Sequence, residues 1–281
     1  MSEFVTFARA CGLDIVAARP SDKIQRCATI AHPRAKNGAF LWDGDRGWAM
    51  AWDDGGEIQW FRGAREWTED DKARWRAQRD AQWQRQLDRQ RRAARNAAAI
   101  LAECQLDHHG YLRFKGLPGV RALCHPDESL LVPMRDARSN KLTGLQRIRW
   151  LPDERRWEKK MFPGMRAKGA VLRLGRGSET ILCEGFATGL SIELAVQQLR
   201  LNAAVLVCFS AQNLMLVAPL MRGRAIVFAD HDESGVGEEA ARATGLPYCM
   251  ADAVGWDAND LHCELGLLAV CQKLMQARSK I

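Results

Sequence analysis

The stretch AIVFADHDESGVGEEAARATG, residues 225–245, decides the fold of the C-terminal part of the chain. It begins as an apolar strand and ends in Asp230 and Asp232, which lie two positions apart and can therefore face the same side. A Ser-Gly turn and an alanine-rich helix follow. The two carboxylates either hold a metal ion or cap the helix behind them.

Residues 177–281 alternate between strand-like and helix-like segments, which predicts a parallel α/β sheet covered by helices. A third carboxylate, Glu184, ends the apolar segment TILCE and precedes Gly185. Ligands gather at the carboxyl ends of parallel strands. If the two strands are neighbours, Glu184 meets Asp230 and Asp232, and three acids in one place require a counter-ion such as Mg²⁺ or Mn²⁺. The alternative is that Glu184 and Asp232 act as caps or dipole partners of the following helices.

The charge is distributed unevenly along the chain. Residues 113–176 hold 16 Lys and Arg against 6 Asp and Glu, whereas residues 177–281 hold 7 against 12. A basic block beside an acidic one favours a polyanion-binding surface next to a metal site, and nucleic acid is the expected polyanion. The alternative is a solvated basic face.

The nine cysteines form no CxxC pair, which is typical of a reducing cytoplasm. Cys27 and His32 lack a second pair of suitable ligands, so we expect no zinc site. No apolar run is long enough to span a membrane, and the N-terminus does not resemble a secretory signal. We expect a cytoplasmic protein.

Residues 1–65 are expected to form a small zinc-free α+β domain. Asn-Gly, Asp-Gly and Gly-Gly pairs punctuate short aromatic runs, a pattern typical of hairpins. The tryptophans here either build the core of a small sheet, which we favour for most of them, or stack on unpaired bases. They are Trp42, Trp48, Trp52 and Trp60.

Residues 66–105 contain no Gly or Pro after Thr68, which predicts one long charged helix or linker. Its apolar residues fall near one stripe of the helix, consisting of Trp75, Trp83, Leu87, Ala94, Ala98 and Leu101. After it, residues 106–176 read as short strands separated by turns, including a strand-like segment YLRFKGL at 111–117.

A family resemblance rests on these segments. CEGFATGLS, followed some forty residues later by FADHDESG, resembles the Toprim signature of a strand-terminal Glu-Gly and then Asp-x-Asp. The flanking segments resemble those that surround Toprim in plasmid- and phage-encoded DNA primases. They are HHGYLRFKGL, LLVPMRDARSNKLTGLQRIRW, EKKMFPGMRAKGAVLRLG, FSAQNLMLVAPLM and GWDANDL.

The resemblance implies an α/β chain, α+β overall. Its Toprim sheet (177–281) would follow a basic, mixed β subdomain (106–176), the long helix and the small N-terminal domain. Two features depart from the family: the usual N-terminal zinc ligands and a GxxxxGK[ST] helicase motif are both missing from the sequence. We therefore expect a stand-alone primase module, or one that works with a partner.

The resemblance also implies a metal-dependent nucleotidyltransferase of DNA replication. It would make short RNA primers from ribonucleoside triphosphates on single-stranded DNA, with a replicative helicase or another replication protein as a further partner. A Toprim nuclease and a non-catalytic binder of single strands remain alternatives. The catalytic metal ligands would be Glu184, Asp230 and Asp232. Asp257 and Asp260 are candidates for supporting them, although Asp257 is equally suited to capping a helix. The candidate nucleic-acid and nucleotide ligands are Arg113, Lys115, Arg135, Arg147, Lys159 and above all Lys160.

Overall fold

The computed structural model describes residues 2–54, 56–62 and 68–279. The chain divides into two compact units, Met1–Ala81 and Gln82–Ile281. The four-part division expected from the sequence stays a prediction, and its first boundary, at 65/66, lies outside the described residues. No helix within the described ranges is long and apolar enough to cross a membrane.

The first unit combines one helix with a five-stranded antiparallel sheet whose strands lie in chain order. Ser2 caps the helix by accepting a hydrogen bond from the N–H of Val5 at 3.3 Å. A short 3₁₀ turn, Trp52–Asp54, precedes the last strand. The elements are α1 Glu3–Ala10, β1 Leu13–Asp14, β2 Gln25–Thr29, β3 Gly38–Trp42, β4 Arg46–Ala51 and β5 Gln59–Arg62.

Aromatic packing fills the core of this unit. Phe4 of α1 is 1% exposed, stacks on Trp42 with ring centroids 5.4 Å apart and meets Phe61 edge to face. Trp60 is instead 66% exposed, opposite Trp48 on the neighbouring strand, and Trp52 lies beneath the guanidinium of Arg26. The tryptophans are therefore divided between the core and the surface.

The long helix is α2, Glu69–Ala102, and the division between the units falls within it. Its buried residues in the second unit are Ala93 and Ala97, which differ by one position from the predicted Ala94 and Ala98. Ala97 packs on Leu131 and Leu145. The prediction was wrong in register because alanine occupies 93, 94, 97, 98 and 99, so periodicity alone does not select the buried pair.

The second unit is built on a ten-stranded sheet. The strands are β6 Gln105–Asp107, β7 Ala122–Cys124, β8 Leu130–Asp136, β9 Leu142–Leu151, β10 Arg156–Met161, β11 Ala170–Leu174, β12 Glu179–Cys183, β13 Ala203–Val207, β14 Ala225–Phe228 and β15 Tyr248–Cys249. The main path of the sheet runs β10-β9-β8-β11-β13-β12-β14-β15, while β7 pairs with β8 and β6 pairs with β7. The strands before β12 are antiparallel, and β13, β12, β14 and β15 are parallel to one another.

Helices cover the sheet, and β11 joins its two parts by pairing antiparallel with both β8 and β13. The predicted parallel α/β sheet with flanking helices is confirmed. The helices are α3 Gly110–Phe114, α4 Phe186–Gln198, α5 Ala211–Val217 with a 3₁₀ turn Ala218–Leu220, α6 Val236–Ala243, α7 Ala258–Leu265 and α8 Leu267–Arg278.

The segment expected to be a strand at 111–117 forms the helix α3 instead. His109 caps it by accepting the N–H of Tyr111 on Nδ1 at 3.1 Å, and Gly116, at φ +68°, turns the chain after it. Tyr111 and Leu112 become core residues that pack with Leu130, Ile148 and Phe186. Tertiary burial therefore overrides the local strand pattern here.

Candidate functional site: an acidic edge of the parallel sheet

The sheet register brings Glu184 next to Asp230. Strands β12 and β14 pair in parallel, with Leu182 opposite Val227. Two residues beyond Leu182 the chain reaches Glu184, and three beyond Val227 it reaches Asp230, so both carboxylates leave the same end of neighbouring strands. The two strands are therefore neighbours, as the expected cluster of acids requires. We call the strand ends that carry Glu184 and Asp230, together with Asp232 and Asp257 in the loops that follow, the acidic edge.

Asp230 lies in the least favourable environment for a charge. Burial is the main cause that raises its pKa to about 7, and Asp257, Glu184 and Asp232 add to the rise, while Lys159 opposes it. Its Oδ1 is buried and accepts no hydrogen bond within the described part of the chain. Glu184 has a raised pKa for a similar reason: burial dominates, and Asp232 adds to it against a backbone hydrogen bond from Ala211.

Asp232 occupies a different environment, in the loop that leads into α6. Its Oδ1 accepts the Ser234 hydroxyl, and its Oδ2 accepts the N–H of Gly237 at 2.9 Å. The hydrogen bond from Ser234, followed by that from Gly237, lowers the pKa of Asp232. Gly237 is needed there because a Cβ would come within 2.3 Å of the Asp230 carbonyl oxygen. Asp232 therefore holds the start of α6, and its oxygens retain lone pairs for a further ligand.

Asp257 approaches the cluster from the start of α7. Its Oδ1 accepts the N–H groups of Asn259 and Asp260 at 2.6 and 2.9 Å, which closes a capping box with Asp260. Its Oδ2 accepts the hydroxyl of Thr188 on α4 at 2.8 Å. Asp257 therefore caps a helix and also adds negative potential at Asp230.

A backbone contact joins the loop that carries Asp230 and Asp232 to the loop that carries Asp257. His231 and Trp256 form an isolated antiparallel bridge, with the N–H of His231 donating to the carbonyl of Trp256 at 3.1 Å. The ring Nδ1 of His231 is 2.9 Å from the carbonyl oxygen of Ala251. This contact fixes the residue after Asp230 beside the residue before Asp257.

Two of the predicted lysines approach the acids from the antiparallel part of the sheet and α3. Lys115 lies 3.5 Å from Asp260, and its carbonyl accepts the side-chain amide of Asn259 at 2.8 Å. Lys159 on β10 lowers the pKa of Asp230 and stands 5.6 Å from the ring centroid of Tyr111. The structure therefore brings Lys115 and Lys159 to the acidic edge.

Lys160 does not share that position, because successive residues of a strand face opposite sides. Its Nζ lies 2.6 Å from Glu158, which Arg149 also contacts at 3.0 Å. Arg147 lies opposite Lys160 in the register and stacks over the ring of Phe162. The predicted ligands thus divide between the two faces of this antiparallel sheet.

The other two predicted cations lie apart from the acids. Arg113 is exposed in the last turn of α3. Arg135 is exposed at the end of β8 and donates to the carbonyl of Asn140 at 3.2 Å. No contact of either residue with the acidic edge is present in the part of the chain that the structure describes.

The donor set suits a hard divalent cation. Within residues 2–54, 56–62 and 68–279, no three His, Cys, Asp or Glu side chains already stand close enough to hold a metal ion. The buried and unpartnered Oδ1 of Asp230, with Glu184 and Asp232 beside it, nevertheless lacks positive charge that Mg²⁺ or Mn²⁺ would supply through carboxylate oxygens. The residues fit the group in chemistry, since all three are carboxylates and one of their oxygens is buried without a partner.

Sequence reasoning missed Tyr111, Thr188 and Asn259. The Tyr111 hydroxyl and the Asn259 Oδ1 are buried and make no hydrogen bond among the described residues, and burial raises the pKa of Tyr111 to about 12. Asn259 is 0% exposed and donates to Lys115 and Ser191. Of these three residues, only Thr188 could have been noticed in the sequence, because it lies in the first helical turn after Glu184.

A comparison with protein-family models matches the parallel part of the sheet. Residues 179–266 match the family model of the Toprim domain, and the chain carries that domain over this range. A comparison with curated protein sequences finds no match.

Two solved structures show a limited similarity to the chain. One is the primase fragment of the bacteriophage T7 primase-helicase protein, at 15% identity and a TM-score of 0.37, over 52% of this chain and 62% of that chain. The other is a bacteriophage T7 lagging-strand DNA polymerase interacting with primase domains bound to an RNA/DNA hybrid and dTTP. It matches at 13% identity and a TM-score of 0.41, over 62% of this chain and 91% of that chain. The chain thus spans less than two thirds of the T7 primase fragment, and neither likeness bears on its activity.

Proposed function

We propose that this protein is a metal-dependent DNA primase that joins ribonucleotides on a single-stranded DNA template. The observation that carries the proposal is the carboxylate of Asp230: its Oδ1 is buried and unpartnered among the described residues, and burial together with Asp257, Glu184 and Asp232 raises its pKa to about 7. Natural proteins rarely leave such a charge uncompensated except at functional sites. The Toprim domain supports nucleotidyl or phosphoryl transfer as the reaction class.

The residues at the acidic edge would have separate roles. Glu184, Asp230 and Asp232 would hold Mg²⁺ or Mn²⁺, which when bound lowers the pKa of a hydroxyl and neutralises charge on a phosphate under attack. Asp257, fixed by Thr188 and its own capping box, would strengthen the negative potential behind them. Asp257 and Thr188 would thus support the metal ligands without taking part in the reaction themselves.

Lys159 and Lys115 would bind the phosphates of the incoming nucleotide. The proposal is supported by the position of Lys115, 3.5 Å from Asp260, and by the effect of Lys159 on the pKa of Asp230, since phosphate contacts fix the register of a strand or a triphosphate. The 3′-hydroxyl of one nucleotide would then lie in line with the α-phosphate of the next. The lysines supply charge and orientation, whereas no side chain is required to form a covalent intermediate.

Primer synthesis in vitro tests the proposal. The protein would be incubated with single-stranded DNA, labelled ribonucleotides and Mg²⁺ or Mn²⁺. We expect short oligoribonucleotides with the unaltered protein and with Asp153→Ala, which removes an exposed carboxylate in the β9–β10 turn. With Asp230→Ala their rate of formation should fall by about 10²–10³-fold. Degradation of the DNA would instead identify a nuclease, and binding without either product would identify a non-catalytic binder.

A further inference from the structure

A cavity of about 520 Å³ lies within the second unit, and none of the residues that line it belongs to the acidic edge. It is formed by one face of α2 and the connector between β10 and β11. We call it the arginine pocket. Its lining consists of Arg85, Gln86, Arg89, Gln90, Gly164 and Met165.

The charge of the arginine pocket is uncompensated. Arg85 and Arg89 lie one helical turn apart, where like charges disfavour a helix. Two other arginines of α2 have acidic partners: Arg79 lies 3.3 Å from Asp80, and Arg91 lies 3.5 Å from Asp88. Neither Arg85 nor Arg89 has an ion pair among the residues that the structure describes. The pocket therefore presents two guanidinium groups together with the amide donors of two glutamines, and no carboxylate lines it.

Arg89 also lies close to Gly164 of the connector. Gly164 has φ +79°, and a Cβ built on it would come within 3.0 Å of the Cγ and the Nε of Arg89. The side chain of Arg89 therefore lies against the connector backbone, and a larger residue at 164 would displace it.

The neighbouring sheet face continues the positive charge. Leu145 packs with Ala97 of α2, and Arg147, two residues further along β9, faces the same side. Lys160 lies opposite Arg147 on β10, and one carboxylate, Glu158, pairs with both Lys160 and Arg149, so three cations share one acid on this face. These cations stand on the face opposite Lys159, so this surface is separate from the acidic edge.

We propose that the arginine pocket binds backbone phosphates of a single-stranded nucleic acid, as a second contact outside the acidic edge. The inference rests on the proposed function for the kind of polyanion. The continuation of the charge to Arg147 favours an extended strand over a small phosphate anion. Arg85 and Arg89 would each contact a phosphate, which anchors the strand without reading its sequence.

Fluorescence anisotropy with a labelled single-stranded DNA tests this assignment in EDTA, without nucleotides, across a series of salt concentrations. The variant Arg85→Gln/Arg89→Gln should bind more weakly, and its slope of log affinity against log salt should be smaller by about 1.4, or about 0.7 for each phosphate that the variant no longer neutralises. Arg85→Lys/Arg89→Lys should restore most of the affinity. The matched control is Arg91→Gln/Arg95→Gln, which removes the same charge from other positions on the same helix.

Equal reductions of affinity and slope in the glutamine variant and the control would overturn the proposal. Unchanged DNA binding by the glutamine variant would also overturn it. If inorganic phosphate then raises the melting temperature of the unaltered protein and the control but not that of the glutamine variant, the ligand is a free anion. Because no metal or nucleotide is present, these outcomes do not depend on primer synthesis. Failure of the proposed function would appear instead in the Asp230→Ala experiment.

Discussion

Asp230 follows one strand of the large sheet and Asp136 ends another, yet the pKa values of the two carboxylates are shifted in opposite directions. Asp230 leaves the parallel strand β14, and burial among other acids raises its pKa to about 7. Asp136 ends the antiparallel strand β8. Burial alone would raise its pKa too, but hydrogen bonds from Ser139 and Arg166 hold it at about 2. Its carboxylate accepts the N–H and the hydroxyl of Ser139 at 2.8 and 2.7 Å.

The difference separates a structural carboxylate from a candidate functional one. Asp136 has partners for its charge, so it stabilises the turn between β8 and β9 and needs no ligand. Glu158, in the same antiparallel part, is also paired, with Lys160 and Arg149. Asp230 makes no such hydrogen bond among the described residues, and Asp257, Glu184 and Asp232 destabilise its charged form unless a cation binds.

The largest effect is expected from Asp230→Ala on catalysis. Removing a group that stabilises charge in the transition state should lower the rate of primer synthesis by about 10²–10³-fold. Asp153→Ala should stay within about twofold, because exposed substitutions change little. The measurement is the rate of ribonucleotide incorporation at saturating metal. A rate for Asp230→Ala equal to that of Asp153→Ala would remove Asp230 from the reaction.

The second effect concerns the metal-free stability of Asp230→Asn. Since folding raises the pKa of Asp230 from 3.8 to about 7, its contribution to stability is full below about pH 4 and is lost as pH rises through 7. The amide avoids this loss, so Asp230→Asn should raise the free energy of unfolding at pH 8 in EDTA, with roughly 4 kcal/mol as the upper bound. Urea denaturation at pH 8 and pH 4 measures it.

The gain should disappear at pH 4, where the carboxyl of Asp230 is already protonated. Asp153→Asn, which makes the same charge change at an exposed turn, serves as the control and should show little change at either pH. An equal gain at both pH values would contradict the assigned environment of Asp230.

The third prediction concerns Asp136, whose pKa is shifted in the direction opposite to that of Asp230. Asp136→Ala removes the hydrogen bonds to Ser139 and Arg166 and should lower the free energy of unfolding at pH 7 by about 1–2 kcal/mol. Because its pKa is lowered in the folded protein, this contribution is present above about pH 4 and is lost as pH falls toward 2. Denaturation curves at pH 7 and pH 2.5 check it. A destabilisation that is equally large at pH 2.5 would indicate a packing defect instead.

The smallest effect comes from a matched pair of adjacent lysines. Lys159→Gln should reduce primer synthesis about tenfold, the value of one charge-assisted hydrogen bond. Lys160→Gln should change it by about twofold or less, since Glu158 already pairs with Lys160. The apparent KM for ribonucleotides separates the two. A larger reduction for Lys160→Gln would place the nucleotide on the opposite face of β10.

Much of the parallel sheet could be predicted from the sequence, because its strands are short apolar runs and its helices lie between them. The positions of Glu184, Asp230 and Asp232 followed from the rule that ligands meet at strand ends. The sequence did not indicate which of Lys159 and Lys160 faces α3, because the pairing of β10 with β9 decides the direction of these two neighbouring residues. A local sequence does not contain that register.

The remaining failures have the same origin in tertiary packing. The strand expected at 111–117 is helix α3 because Tyr111 and Leu112 are buried against β8, β9 and α4. The bond between Thr188 and Asp257 joins residues 69 positions apart, so no spacing rule could reveal it. The helix α2 was predicted correctly as an element, while its buried face was not, since its alanines are too numerous to define one stripe.

Isothermal titration with Mg²⁺ and Mn²⁺ tests most directly whether the uncompensated acids form a metal site. We expect the unaltered protein and Asp153→Asn to bind the cation with the same affinity, and Asp230→Asn to bind it at least about tenfold more weakly. Equal affinities in all three proteins, or no binding by the unaltered protein at millimolar cation, would contradict the assignment of Asp230 as a metal ligand.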